Sequence, residues 1–225
     1  MPNYLSIDTS AHASVALVDY TTGSVVAQKT SPKGNDQTET LAAYVRDLLE
    51  ENTEQGKNLI GIFVGVGPGP FTGLRVGLVA ARTFGFVWNV PVYGVMSLHA
   101  LAERVLRSGE NPTEFLVASD ARRKELYWAH YDRDGKLLDG PHVSSATELP
   151  ALPVYGVGAS LYVEQLESVG AKPRPRSLDW VVDARHLAHR GMDDLAAGKD
   201  LSDTAPQYLR ESDAQVPAFM KQAKA

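Results

Sequence analysis

Short apolar runs bounded by turn residues predict strands at Tyr4–Asp8, Ser14–Asp19 and Ser24–Gln28, with Tyr20-Thr21-Thr22-Gly23 turning between the last two. Two hairpins in succession make an antiparallel meander. A polar loop, Ser31–Asn35, follows, and from Asp36 the period becomes helical. Leu41, Tyr44, Val45, Leu48 and Leu49 share one face, and Asp36 with Glu39 has the spacing of a capping box. Beyond a polar connection at Glu50–Asn58, the pattern predicts a buried strand at Leu59–Val66, a long apolar helix opened by Phe71 and Thr72, a short strand at Val92–Val95 and a helix from Ser97 to about Arg107. Thr72 and Ser97 are the expected N-caps, because a hydroxyl there can accept a first-turn N–H.

After the loop Ser108–Thr113 the same order returns. Strands are expected at Phe115–Ser119 and Glu125–Tyr131, with Tyr127 and Trp128 as core and surface partners. A turn at Asp132–Gly135 leads to a third strand at Lys136–Leu138 or near Val143. A weak helical segment near Thr147, a strand at Val154–Gly158 and a helix over Ala159–Val169 complete the unit. Lys172–Ser177 reads as an extended loop exposing Arg174 and Arg176, Trp180–Val182 as a short strand, Asp183–Ala197 as a helix and Ala205–Arg210 as an ordered terminus. The expected organisation is a lobe over 1–107 completed by the C-terminal helix within 183–210, a smaller lobe over 108–182, and a flexible tail, 211–225. Strands alternating with helices after an antiparallel start indicate α/β layering, and a cleft between two such lobes is a natural ligand site.

Composition narrows the chemistry. The 225 residues are 44% hydrophobic, enough for a substantial core. There is no cysteine, which excludes disulfides, thiolate metal sites and cysteine nucleophiles, and fits a reducing compartment. The N-terminus lacks the basic start and apolar run of a signal peptide, and the most apolar helix carries Arg75 and Arg82, so a membrane span is not expected. A net charge of -5 with no long basic block disfavours strong nucleic-acid binding by the chain alone.

The stretch Gly65–Trp88 carries the most information. Its turn, Gly67-Pro68-Gly69-Pro70, runs into a helix in which Gly73, Gly77, Ala81 and Gly85 recur every four residues. Each helical glycine costs about 1 kcal/mol relative to alanine, so a row of them implies a close approach by the chain's own sheet or by a partner helix. A phosphate cradle at the helix start is a second reading, using Asp8, Gly67, Gly69 and Thr72. No Gly-Lys-Ser/Thr follows, and Pro68 and Pro70 each lack a donor N–H, so a rigid turn is the better expectation. Asp8 itself fits an Asx-type turn with Thr9 and Ser10. Asp183, His186 and His189 are spaced along one helix face but lack a further ligand. Asp120-Ala121-Arg122-Arg123-Lys124 is a local basic cluster whose default is a solvated turn.

Four stretches together resemble the TsaB (YeaZ) family, the dimerisation subunits of the bacterial tRNA threonylcarbamoyladenosine machinery. They are YLSIDTSAHASVALVD, GVGPGPFTGLRVGLVAARTFGFVWNVPVYGV, DARRKELYWAHYD and PQYLR. The resemblance implies an actin-like (Hsp70/sugar-kinase/actin) fold of two RNase H-like lobes and a cytoplasmic protein. It also implies a non-catalytic role beside the catalytic paralogue TsaD. With the ATPase TsaE, that complex transfers a threonylcarbamoyl group to N6 of adenosine 37 in tRNAs reading codons that begin with A. TsaD-like chains carry His-x-x-x-His on the helix after the Val-Pro strand; here those two positions are Ser97 and Leu101, with a lone His99 between them. No catalytic residue and no metal ligand is therefore expected. No cofactor is expected to be required, although ATP or ADP can sit at the complex interface. The implied partner interface is Leu41, Tyr44, Val45 and Leu48 on the first helix with Gly73, Leu74, Gly77, Leu78 and Ala81 on the second. These helices would form a four-helix bundle with TsaD, or a homodimer when the partner is absent, and tRNA would be met only through the complex. The competing reading is an independent ATP-using enzyme of the actin-like class.

Overall fold

A computed structural model describes residues 1–32, 37–52 and 58–210. The expected capping residue Asp36 and the tail from Glu211 lie outside them. The first sheet contains β1 (Asn3–Asp8), β2 (Ser14–Asp19), β3 (Val25–Thr30), β4 (Leu59–Gly65) and β5 (Val92–Val95) in the order β3-β2-β1-β4-β5. β1 and β2 pair antiparallel, as do β2 and β3, whereas β4 runs parallel to β1 and β5 parallel to β4. Between these strands lie α1 (Gln37–Asn52) and α2 (Phe71–Trp88), and α3 (Ser97–Arg107) follows β5.

The second sheet repeats the plan. It holds β6 (Glu114–Asp120), β7 (Glu125–Asp132), β8 (Leu137–Ser145), β9 (Pro153–Tyr155) and β10 (Lys172–Pro173) in the order β10-β9-β6-β7-β8. Its first three strands form the antiparallel meander, and β9 and β10 continue in parallel. Two alternative positions for the third strand of this lobe are one strand, β8. The expected helix 159–169 is broken into α4 (Val157–Leu161) and α5 (Val163–Ser168) at Tyr162, whose φ of -140° is not helical. Trp180–Val182 forms no strand, and Lys172–Ser177 is a two-residue strand followed by a 3-10 turn. Arg174 is not free in solvent: its Nη2 donates to Glu110 Oε2 at 2.9 Å.

Period-two alternation sends residues to two different cores. Leu5, Ile7, Val15 and Leu17 face α1 and α2, meeting Leu41, Val45, Leu48, Leu74 and Leu78. Tyr4, Ala16 and Val18 face the other way, into a core shared with Leu98 and Leu101 of α3, Leu187 of α6 (Ala184–Ala196), and Phe115 and Tyr131 of the second sheet. The far face of that sheet buries Leu116, Leu126, Trp128 and Val154 beneath Ala159 and Leu166. The layers are thus helices, sheet, helices, sheet, helices. Because both faces of the second sheet are covered, Tyr127 and Trp128 are both buried, rather than one core and one surface.

α6 returns from the end of the chain to pack on β1, β2 and β4 and on α3. Its cap, Asp183, accepts from Arg185 N at 2.9 Å, and Ala184 N donates to Ser14 Oγ at 3.0 Å. Residues 199–210 then cross the first sheet as an extended strap. Gly94 N donates to Leu201 O, Gln207 N to Val66 O, and Arg82 holds Thr204 through both its hydroxyl and its carbonyl.

Candidate functional site

The glycine stripe of α2 is a contact of the chain with itself. A Cβ on Gly77 would collide with Thr9 Oγ1, and one on Gly85 with Val92. The Thr9 hydroxyl donates to Gly73 O at 2.7 Å, tying the end of β1 to the helix. Gly73, Leu74, Gly77, Leu78 and Ala81 are all buried within the chain, as are Leu41, Val45 and Leu48, and Tyr44 is half-buried. Within the single chain most of these residues make the core that holds α1 and α2 on the sheet, while Tyr44 keeps partial exposure and Val45 lines the α1–α2 groove.

Neither expected cap is used as one. Pro70 occupies the N-cap of α2 and Met96 that of α3, with no side-chain capping bond at either. Thr72 falls inside α2, exposed, while Ser97 is fully buried and turned toward β1. Ser97 Oγ donates to Asp8 Oδ2 at 2.6 Å and accepts from Gly67 N at 3.1 Å. The other oxygen, Asp8 Oδ1, accepts from Ser10 N at 2.8 Å and from Ser10 Oγ at 2.6 Å. Burial raises the Asp8 carboxyl above its ordinary value, although these donors pull the other way. Gly65 leaves room for this carboxylate, because a Cβ there would run into Asp8 Oδ2.

The same network packs the residues of the alternative phosphate cradle. Asp8 has no solvent exposure. A Cβ on Gly69 would sit 2.9 Å from the Ser10 backbone, and one on Gly67 would lie 2.9 Å from Leu74 Cδ1 and 3.2 Å from Gln207 O. Asp8, Gly67 and Gly69 are thus packed joints of the fold, and of the four candidates Thr72 alone is exposed.

On α3, Leu101 is buried beside Ser97 in the shared core. His99 Nδ1 lies 2.8 Å from Tyr131 OH, and burial with the nearby Arg190 guanidinium lowers its imidazole to about 3, so it is neutral at physiological pH. The Asp183, His186 and His189 row is structural: Asp183 caps, His189 Nε2 meets Gly23 O at 2.8 Å, and His186 is buried among the arginines 104, 107 and 185. Among the described residues no three His, Asp or Glu side chains gather as metal ligands.

What α2 offers to the outside is the face opposite the glycines. Phe86 is 89% exposed, Val87 65% and Val79 62%. An apolar groove of about 290 Å³ runs between α1 and α2, lined by Ala42, Val45, Leu49, Phe84 and Trp88 with Arg46 and Glu50 at its edge. Scattered surface apolar residues are ordinary; several large ones on a single helix are less so. The signal in the sequence was available: α2 carries Val79, Phe86 and Val87 in addition to its buried stripe, more apolar residues than one buried side requires.

A second cleft, of about 260 Å³, lies at the boundary of the two sheets and is lined by Phe71, Thr72, Arg122, Arg123, Tyr127 and Arg210. Its upper wall is the β6–β7 turn. Three consecutive non-glycine residues there are left-handed, Arg122 at φ 60°, Arg123 at 54° and Lys124 at 63°. This conformation costs an L-residue about 1 kcal/mol or more. The turn is held by Arg122 N donating to Asp120 Oδ1 (2.7 Å) and by Arg210 Nη1 donating to Ala121 O (2.7 Å); Arg210 also pairs with Glu125. The PQYLR motif is thereby explained: Tyr208 lies against Phe71 (ring centroids 4.4 Å), takes a hydrogen bond from Arg75 Nε, and delivers Arg210 to the second sheet.

Two sheets of identical strand order, sandwiching one helical layer and each covered outside by another, define an actin-like α/β protein built of two RNase H-like lobes. Residues 30–177 match the family model described as TsaD: tRNA N6-adenosine threonylcarbamoyltransferase. An uncharacterised protein of Mycobacterium tuberculosis is 35% identical over 179 residues, 77% of this chain and 82% of that protein. The Escherichia coli tRNA threonylcarbamoyladenosine biosynthesis protein TsaB is 35% identical over 132 residues, 58% of this chain and 55% of that protein. The solved structure of YeaZ from Pseudomonas aeruginosa superposes with a TM-score of 0.74 at 28% identity, covering 93% of this chain and all of that one. The chain belongs to the TsaB (YeaZ) family.

Proposed function

We propose that the chain is the non-catalytic partner subunit of a complex that transfers a threonylcarbamoyl group to N6 of adenosine 37 in tRNAs reading codons that begin with A. Its partner is a TsaD-like catalytic paralogue, docked on the outer face of α1 and α2, with a TsaE-like ATPase completing the assembly and tRNA met through it. The observation that carries this reading is the exposure of Val79, Phe86 and Val87 on α2, together with the apolar α1–α2 groove, in a chain of this family. A facing helix pair would cover it as a four-helix bundle, and a second copy of the chain would do so in the partner's absence. ATP or ADP belongs at the interface with the partner rather than to this chain alone, and the compartment is the cytoplasm.

A non-catalytic role is supported by the placement of Ser97 and Leu101 inside the core, one bonded to Asp8 and the other apolar. Independent ATP chemistry, the alternative, is disfavoured by the buried, fully engaged Asp8 carboxylate and the packed turn glycines. Size-exclusion chromatography of the chain mixed with its TsaD-like counterpart tests the proposal. Co-elution is expected; separate elution under all salt and nucleotide conditions would overturn it.

A further inference from the structure

We propose that Asn3 and Asp19 hold a hard, oxygen-seeking metal cation at the end of the first sheet. The two residues face each other across β1 and β2, and Tyr20 N donates to Pro2 O beside them. They are therefore a non-hydrogen-bonded pair, the kind in which opposite side chains stand closest, with Cα atoms about 4.5 Å apart. Further along the same face the rungs are apolar, Leu5 with Leu17 and Ile7 with Val15. The last rung is polar but no less covered: Asn3 is 5% exposed and Asp19 3%.

Each side chain has one end committed and one oxygen left over. Asp19 Oδ1 accepts from Thr21 N (2.9 Å), Thr22 N (2.7 Å) and Thr22 Oγ1 (2.9 Å), whereas Oδ2 is buried without a partner. Asn3 Nδ2 donates to Met1 O at 3.0 Å, which fixes the amide's orientation and leaves Oδ1 buried and unpartnered too. The bonds to Asp19, that from Thr22 N foremost, hold its carboxyl below the ordinary value, so it is ionised and has no proton to offer Asn3. Two acceptors, one of them charged, thus share a covered rung, and a covered charge is costly without a counter-charge. The nearest basic residue in sequence, Lys29, is committed to Asp47 and Glu51, and the chain's α-ammonium is a minor influence on the Asp19 carboxyl. A cation between the two oxygens supplies what is missing. The donors are all oxygen, one carboxylate and one amide carbonyl, which suits sodium, potassium, calcium or magnesium over metals that seek nitrogen or sulfur. A single carboxylate balances a single charge and favours a monovalent ion.

The test is thermal unfolding of the full chain, exchanged into choline chloride and titrated with NaCl, KCl, CaCl2 or MgCl2 at constant ionic strength. At about five times its Kd, the bound ion should raise the thermal midpoint by about 2–4 °C. Asp19→Asn, which keeps the shape and removes the charge, should lose that rise. Asn3→Ala, which removes one ligand oxygen, should weaken the ion about tenfold. Asp134→Asn, in the exposed β7–β8 turn, should respond as wild type. A midpoint that no ion moves beyond the choline background would overturn the proposal, the space then belonging to a water that donates to both oxygens or to the α-ammonium. So would a wild-type response in folded Asp19→Asn. If that variant does not fold, Asn3→Ala decides in the same way. If neither folds, terbium(III) luminescence sensitised by the adjacent Tyr20 reads the wild type: emission displaced by the stabilising ion supports the site, and its absence overturns it.

Discussion

Ser97 Oγ and Asp8 Oδ2 lie 2.6 Å apart where solvent does not reach. The bond joins the end of the first strand to the start of α3, and the same hydroxyl accepts from the β4–α2 turn through Gly67 N. One side chain therefore fixes three elements around a buried acid. Ser97→Ala should destabilise the fold by about 2–3 kcal/mol, since it leaves a carboxylate oxygen and a backbone N–H unpaired in the interior. Urea unfolding measures this, and a loss under about 0.5 kcal/mol would refute the role.

Gly77 and Thr9 give a second test, which separates the chain's own packing from partner contact. Gly77→Ala should cost about 1–3 kcal/mol by overpacking against the Thr9 hydroxyl. Thr9→Ala in the same background should recover part of that loss, a coupling readable from a double-mutant cycle on unfolding free energies. Additive effects would mean that the two residues do not meet.

On the outer face the expectation reverses. Phe86→Glu and Val79→Asp should leave the unfolding midpoint within about 0.5 kcal/mol of wild type, because both side chains already face solvent. Pairing with the catalytic paralogue should weaken by at least tenfold for each, as for a central apolar anchor. Analytical ultracentrifugation of the mixed chains reads the outcome; unchanged association would move the interface elsewhere.

Acid should loosen the molecule through its buried imidazoles. Burial, with the neighbouring arginines, holds His186 down to about 3, and His99 is held to about 3 chiefly by burial. The unfolded chain titrates near 6.5, so between those values it binds more protons than the folded one. Stability is then full above pH 6.5 and falls as the pH drops toward 3, by up to about 1.4 kcal/mol per pH unit for each histidine. Asp8, raised by burial, contributes the opposite sign above the ordinary carboxylate value. Comparison of wild type with His186→Asn isolates one histidine: the variant's profile of thermal midpoint against pH should be flatter between 6.5 and 4, and parallel profiles would refute the assignment.

β1, β2, β6 and β7 were legible because each is a short apolar run closed by turn residues, and Ser14–Asp19 needed no adjustment, whereas β8 spans both of the alternative positions for the third strand. The glycine stripe was equally visible, but not its partner: nothing around Gly77 points to Thr9 on a distant strand. Hydroxyls at Thr72 and Ser97 suggested caps by local rule, yet Pro70 and Met96 begin the helices and tertiary structure claims Ser97 for Asp8. The strap lacked any period to read, since its bonds run through backbone groups of Gly94 and Val66.

The return of α6 and the strap to the first sheet has a consequence for how the protein is made. β1 and β2 leave the ribosome well before the helix that covers their inner face, whose first residue, Ala184, meets Ser14. Until those residues emerge, Tyr4, Ala16 and Val18 lack the α6 part of their cover, and the contact must close a loop spanning most of the chain. The second sheet, whose strands are contiguous in sequence, faces no such delay. Completion of the first sheet therefore waits for α6 and the strap, long after its first strands are made.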